Sequence, residues 1–262
     1  MERWAQAKLA ILVIVPFLVC AGAHAADDQT LNRLLRDDSR PSRASALLDF
    51  EAPNPTSELD LGVAYQKAEG GERDSSVPVT YIYTTPSQND QLKLWTAYLR
   101  ESTTAGTLTG SDDIGVRYLH AMNTKSCFTG TVAVGAIVPA GGEVGSTSAT
   151  QLAQVGFRCK ANDKWRWLGS AALVHANEVP VGVANTGKSF SLAAKYLFTT
   201  DRIVTATLLR KLRSGTAARS TVELEYDHPF KSPSWGGSLV LDAGLSSPHH
   251  DRAIEYDFAY SF

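Results

Sequence analysis

What the chain lacks narrows its class before any motif is weighed. Its charge is nearly balanced, with 25 Lys and Arg against 27 Asp and Glu over 262 residues. The basic footprint of a nucleic-acid binder is missing, and no such partner is expected. Beyond the first stretch, no run approaches the ~18 consecutive apolar residues that a membrane helix needs. The patterns Gly-x-Ser-x-Gly, His-Glu-x-x-His and Cys-x-x-Cys do not occur, and a phosphate-binding loop is not expected either. Cysteine is scarce, with Cys20, Cys127 and Cys159 only. Metal, cofactor and enzyme chemistry therefore all go unsignalled.

The first residues are of another kind. Arg3 and Lys8 precede an apolar run from Leu9 to Val19, and Ala23-His24-Ala25 follows. This is the pattern of a secretory signal peptide over residues 1–25. Its removal takes away Arg3, Lys8 and Glu2 and leaves the chain close to neutral. Residues 26–56 combine Leu31, Leu34 and Leu35 at helical spacing with charged and Pro-bearing sequence, and read as a flexible periplasmic leader.

From residue 57 onward the dominant signal is period-2 alternation, recurring in segments of about ten residues. Leu59, Leu61, Val63 and Tyr65 alternate with Asp60, Gly62 and Ala64. Comparable segments follow around residues 77–83, 92–100, 114–120, 128–138, 153–157, 165–173, 190–198, 204–208, 222–226 and 239–245. The segment 92–100 is apolar on both parities, so its facing is ambiguous. The last segment has Ile254, Tyr256, Phe258, Tyr260 and Phe262 on one face. Exposed in water, such a strand would be a sticky edge. A closed barrel in lipid supplies both a paired edge and an apolar solvent. The expected fold is all-β: a transmembrane antiparallel up-and-down β-barrel of about twelve strands over residues 57–262. A soluble sandwich or lipocalin-like barrel is the competing class.

Connections of two lengths support the barrel. Long outer loops are expected at 68–77, 101–112, 139–149 and 177–187, and short inner turns at 123–125, 161–162 and 200–201. The segments 227–234 and 213–216 break that rule. Aromatics including Tyr81, Tyr83, Tyr118, Phe128, Phe157, Trp165, Trp167, Tyr196, Phe198, Tyr226, Phe230, Trp235 and Tyr260 fall at one depth, as an interfacial girdle requires.

The opposite parity is polar and its charges segregate. Arg158, Lys164, Arg166, Lys195, Lys211 and Arg213 form a basic wall of the lumen. Asp60, Glu223, Glu225, Asp227, Asp242, Glu255 and Asp257 form an acidic one, contiguous because the first strand must lie beside the last. Facing one another across water, the walls set up a transverse field; meeting instead, they cross-link a plugged interior. Asp227-His228 points to opposite faces, and His249-His250-Asp251 lies in an outer turn without a third fixed ligand. Cys127 and Cys159 come opposite one another on paired strands but out of phase, so a disulfide between them needs a bulge.

Three stretches, Val77-Pro-Val-Thr-Tyr-Ile-Tyr83, Gly110-Ser-Asp-Asp-Ile-Gly-Val-Arg-Tyr-Leu119 and Thr131-Val-Ala-Val-Gly-Ala-Ile-Val-Pro-Ala-Gly-Gly142, occur in that order. Together they resemble a bacterial outer-membrane β-barrel transporter-like family, the meta-pathway phenol degradation proteins. The resemblance implies transport of hydrophobic or aromatic compounds and no catalytic residues. The terminal Tyr256, Phe258, Tyr260 and Phe262 resemble the signal read by the barrel-insertion machinery. The expected function is an outer-membrane channel for passive uptake of a small solute. A barrel hydrolase acting on lipid or peptide and a closed structural barrel are the alternatives.

Overall fold

The computed structural model describes residues 57–261, apart from 68–72, 88, 104–105, 123–127, 141–147, 178, 180–181, 200–201, 231–233 and 246–251. The signal, the leader, Cys127, His249-His250-Asp251 and Phe262 lie outside the described residues. The strands are β1 (Glu58–Lys67), β2 (Arg73–Thr84), β3 (Asp90–Thr103), β4 (Gly106–Ser111), β5 (Ile114–Met122), β6 (Phe128–Val138), β7 (Thr150–Lys160), β8 (Trp165–Ala176), β9 (Thr186–Leu197), β10 (Ile203–Arg213), β11 (Arg219–Pro229), β12 (Trp235–Gly244) and β13 (Arg252–Ser261).

Except for β4 and β5, which do not pair with each other, each strand pairs antiparallel with its chain neighbours, and β13 pairs with β1 from Ser261 opposite Glu58 to Arg252 opposite Lys67. Apart from β4, which pairs only with β3, the sheet therefore has no free edge. β4 and β5 together make one wall strand. β3 pairs with β4 up to Tyr98 opposite Ser111, and with β5 from Trp95 opposite Gly115. Three residues on one side thus face two on the other, which is a bulge at Asp112-Asp113. Counted this way, the barrel has twelve spanning strands, each matching one of the alternating segments.

Following hydrogen-bonded partners once round the wall returns to β1 about 14 residues further along. For twelve strands that offset sets a tilt of roughly 40° and a backbone radius of about 12 Å.

The apolar and polar surfaces are inverted relative to a protein in water. Val155 is 58% exposed and Phe198 57%, whereas Arg117 is 1% exposed. Such an apolar exterior is stable only in lipid, and closure satisfies every strand's backbone there. The competing class, a soluble sandwich, is thereby set aside. The chain is an outer-membrane β-barrel.

Several connections depart from expectation. The expected outer loop at 101–112 is mostly hydrogen-bonded hairpin, because β3 continues to Thr103 and β4 starts at Gly106. The long inner turn at 227–234 shortens, since β11 runs on to Pro229. At that end the remaining connections then span 85–89, 123–127, 161–164, 198–202 and 230–234, all short as inner turns should be. At the other rim Ala184 N–H donates to Ser214 O at 2.9 Å. Gly215 there has φ +87, and a Cβ on it would meet Gly182 O at 2.1 Å. Only glycine suits that close approach.

Candidate functional site: a charged lumen within an aromatic girdle

The exterior fixes which way each side chain points. On the lipid face, Phe128 stacks on Phe157 at 5.7 Å, Trp165 tilts against Tyr196 at 4.8 Å, and Trp235 against Tyr260 at 5.0 Å. These contacts pass from strand to strand at one depth, as an interfacial belt does. His228 joins them. It stacks on Tyr226 at 5.6 Å, and its Nε2 hydrogen-bonds the Tyr256 hydroxyl at 3.0 Å. Asp227 and His228 thus point to opposite faces, as alternation requires, and form no joint site. Phe258 stacks on Phe230 at 6.1 Å, so the described aromatics of the terminal strand belong to the belt.

The ambiguous β3 is settled by its partner. Leu92 lies opposite Tyr83, Leu94 opposite Tyr81 and Tyr98 opposite Val77, which turns Lys93, Trp95, Ala97, Leu99 and Glu101 inward. All five are buried. Trp95 lies flat over Gly115, where a Cβ would come within 1.9 Å of its ring. Arg117, also inward, is among the most buried side chains described. Sequence reasoning missed Lys93, Glu101 and Arg117 as lumen charges. The usable signal was a charge between two lipid-facing apolar residues, as in Val116-Arg117-Tyr118.

The residues expected to line an acidic wall lie on adjoining strands. Glu223 lies opposite Asp242. Glu225 and Glu255 share a row with Val240 between them, and Asp227 and Asp257 share another through Ser238. Ser238 Oγ donates to Glu225 Oε1 at 3.1 Å. On β1, Gly62 leaves room for the Asp257 carboxylate, which a Cβ there would meet at 1.8 Å. Glu58 hydrogen-bonds Asp60, Glu255 hydrogen-bonds Asp257, and Lys93 lies near enough to attract both Asp60 and Asp257.

The basic wall needs one correction. Arg158, Arg166, Lys195, Lys211 and Arg213 are inward on β7 to β10. Lys164 instead sits exposed in the turn between β7 and β8. There Asn162 Oδ1 accepts from the backbone N–H groups of Lys164 and Trp165 at 2.9 and 2.8 Å, so strand parity does not reach it. In the same turn Lys160 Nζ meets Asp163 Oδ1 at 2.8 Å and holds that carboxyl below its usual range. The walls also adjoin rather than simply oppose. Lys195, Thr205 and Glu225 are cross-strand neighbours in one row.

Other sequence signals resolve as follows. Cys159 is outward, between Phe128 and Trp167 on the neighbouring strands. Gly182-Val-Ala-Asn-Thr-Gly-Lys-Ser189 has the literal spacing of a phosphate-binding loop, contrary to the expectation that none exists. It opens strand β9, not a helix, so Gly187, Lys188 and Ser189 lie in the sheet ladder and no anion cradle forms. Two of the resembling stretches touch. Asp113 Oδ1 accepts from Ala140 N–H at 3.4 Å, and Asp112 N–H donates to Ala97 O at 2.7 Å. The Asp-Asp pair therefore pins a bulge and the end of β6.

No family model and no curated protein matches the chain. Among solved structures it is similar to an outer-membrane channel from Pseudomonas putida F1, with TM-score 0.63 and 12% identity over 82% of this chain and 98% of that one. It is similar to the NanC porin, with TM-score 0.59 and 8% identity over 78% and 100%. It is also similar to the translocator domain of the autotransporter NalP from Neisseria meningitidis, with TM-score 0.57 and 13% identity over 88% and 98%. At such identities the likeness is one of fold, the outer-membrane barrel of channels and translocators. What these structures share with the chain is the outer-membrane barrel fold. Membership of the phenol degradation family has no matching model behind it.

Proposed function

We propose that the barrel is a passive channel for small polar solutes and performs no chemistry of its own. The observation that carries this is the inward wall from β11 through β13 to β1, lined by carboxylates that are for the most part only half-buried. A wall sealed by packing would bury them or replace them with apolar side chains. Aromatic solutes, which the resemblance implies, find less support. Trp95 is the one inward strand aromatic among the described residues, and it is buried. We propose too that Tyr256, Phe258, Tyr260 and Phe262 serve the barrel-insertion machinery, and that Cys127 and Cys159 are structural.

The test is single-channel recording of the purified protein in planar bilayers. Discrete conductance steps are expected. Their absence at every salt concentration, with the protein folded by gel mobility before and after boiling, would favour the closed structural barrel. Hydrolysis of vesicle lipid or of peptide would favour the enzyme.

A further inference from the structure

The lumen charges are not all equally available to a solute. Among the bases, Lys93, Arg117 and Lys195 are 8%, 1% and 7% exposed, and each is covered within the wall, whereas Arg158, Arg166, Lys211 and Arg213 are half-exposed. Among the acids on β11 to β13 and β1, Glu255 is buried at 8%, while Asp60, Glu223, Glu225, Asp242 and Asp257 remain half-exposed. On β3 and β5 the inward faces are buried along their length. Water therefore reaches the lumen mainly away from β3 and β5, past the acids of β11, β12, β13 and β1 and the half-exposed bases of β7, β8 and β10.

A second observation points the same way. One carboxylate oxygen each of Asp60 and Asp242, and the hydroxyl of Thr205 beside Glu225, are buried in the wall without a hydrogen-bond partner. Thr205 is 6% exposed and inward. Buried acceptors call for a counterpart, and these ask for a cation or a cation's water. Lys93 lies near enough to attract Asp60 and Asp257, and Lys211 to attract Asp242, so part of the acidic charge is met by the protein. Glu223 hydrogen-bonds Asp242 as Glu255 does Asp257. Each such pair shares one proton and so keeps a single negative charge, which a mobile cation can meet. Among the described residues no three acidic or histidine side chains converge closely enough to chelate a metal. The strip attracts cations without trapping them, which is what conduction needs.

We infer that the conducting route is eccentric, running along β11, β12, β13 and β1, and that it selects monovalent cations and small organic ammonium solutes over anions. This rests on the channel proposal. The experiment is the reversal potential across a planar bilayer under a KCl gradient, repeated with ethanolammonium chloride. A permeability ratio of cation to anion of about 10 is expected from focusing by a charged, low-dielectric wall. In the triple variant Glu223→Gln/Glu225→Gln/Asp242→Asn it should fall at least threefold, whereas Arg158→Gln/Arg166→Gln should leave it unchanged or higher. Because the wild type alone gives the sign, a variant that fails to fold does not remove the test. Conductance with a wild-type ratio at or below one overturns the inference and leaves the channel standing. Absence of conductance overturns the channel and the inference with it.

Discussion

Gly115→Ala tests whether the lumen is packed at the level of β3 and β5 as the geometry requires. A Cβ at Gly115 would lie 1.9 and 2.1 Å from Trp95 Cε2 and Cζ2, well inside contact, so the ring must move. Trp95 is 7% exposed with covered neighbours on both sides, and an overpacked interior of this kind costs about 1–3 kcal/mol. Replacing a strand glycine returns about 0.5–1 kcal/mol by restricting the unfolded chain. The net expectation is a loss of roughly 1–2 kcal/mol, close to tenfold in the folded-to-unfolded ratio. In a Trp95→Ala background the clash is gone. The same substitution should then stabilise by about 0.5–1 kcal/mol, so the sign reverses. Gly130→Ala is the control, since its nearest neighbour is Met122 Cε at an ordinary 3.5 Å. The assay is equilibrium urea unfolding in vesicles, read by gel mobility and tryptophan emission. Equal destabilisation in both backgrounds would refute the packing of Trp95 over Gly115.

Other consequences are independent of that pair. Leu224 is 45% exposed at mid-strand on the lipid face, so Leu224→Arg should lower stability by about 2–4 kcal/mol. Glu225→Gln, one residue away but inward, should change it far less; both are read from vesicle refolding. Asn162→Ala removes the acceptor of two backbone N–H groups in the β7–β8 turn and should cost about 1 kcal/mol by the same assay. Asp163, held below the usual carboxyl range by Lys160, should titrate by NMR below the model-peptide value of about 3.9 and return to it in Lys160→Met. Its small contribution is therefore present above that value and fades as pH falls through the lowered folded midpoint. A solution midpoint at the ordinary value would refute the contact.

Most of the wall was legible in the chain because alternation is a local property. A residue such as Leu61 or Val155 declares its face through its immediate neighbours, and lipid permits no exceptions large enough to blur the pattern. The belt aromatics were legible for the same reason. What alternation left open was β3, apolar on both parities, and there only the partner strand decides. Pairing Leu94 with Tyr81 puts Lys93, Trp95 and Glu101 inside. Asp112-Asp113 is another such case. Its sequence reads as part of a loop, but the one-residue offset between two stretches of pairing with β3 makes it a bulge within a wall strand. Lys164 shows the converse, since parity counted through a turn assigns a face that the turn does not have.

The sequence by itself determined the class: strands of about ten residues, one face apolar and one polar, an even number of them, and therefore a closed barrel in a membrane. It also brought together the acidic residues of β11, β12 and β13, which are near one another in the chain. Closure already placed β1 beside the last strand; tertiary structure alone decided their register and that Gly62 leaves space for Asp257. It also decided that three of the bases are buried while most of the acids stay half-exposed. The reason is geometric. Which face a side chain takes depends on its neighbours one residue away, but how deeply it lies depends on strands brought round the barrel from elsewhere in the chain.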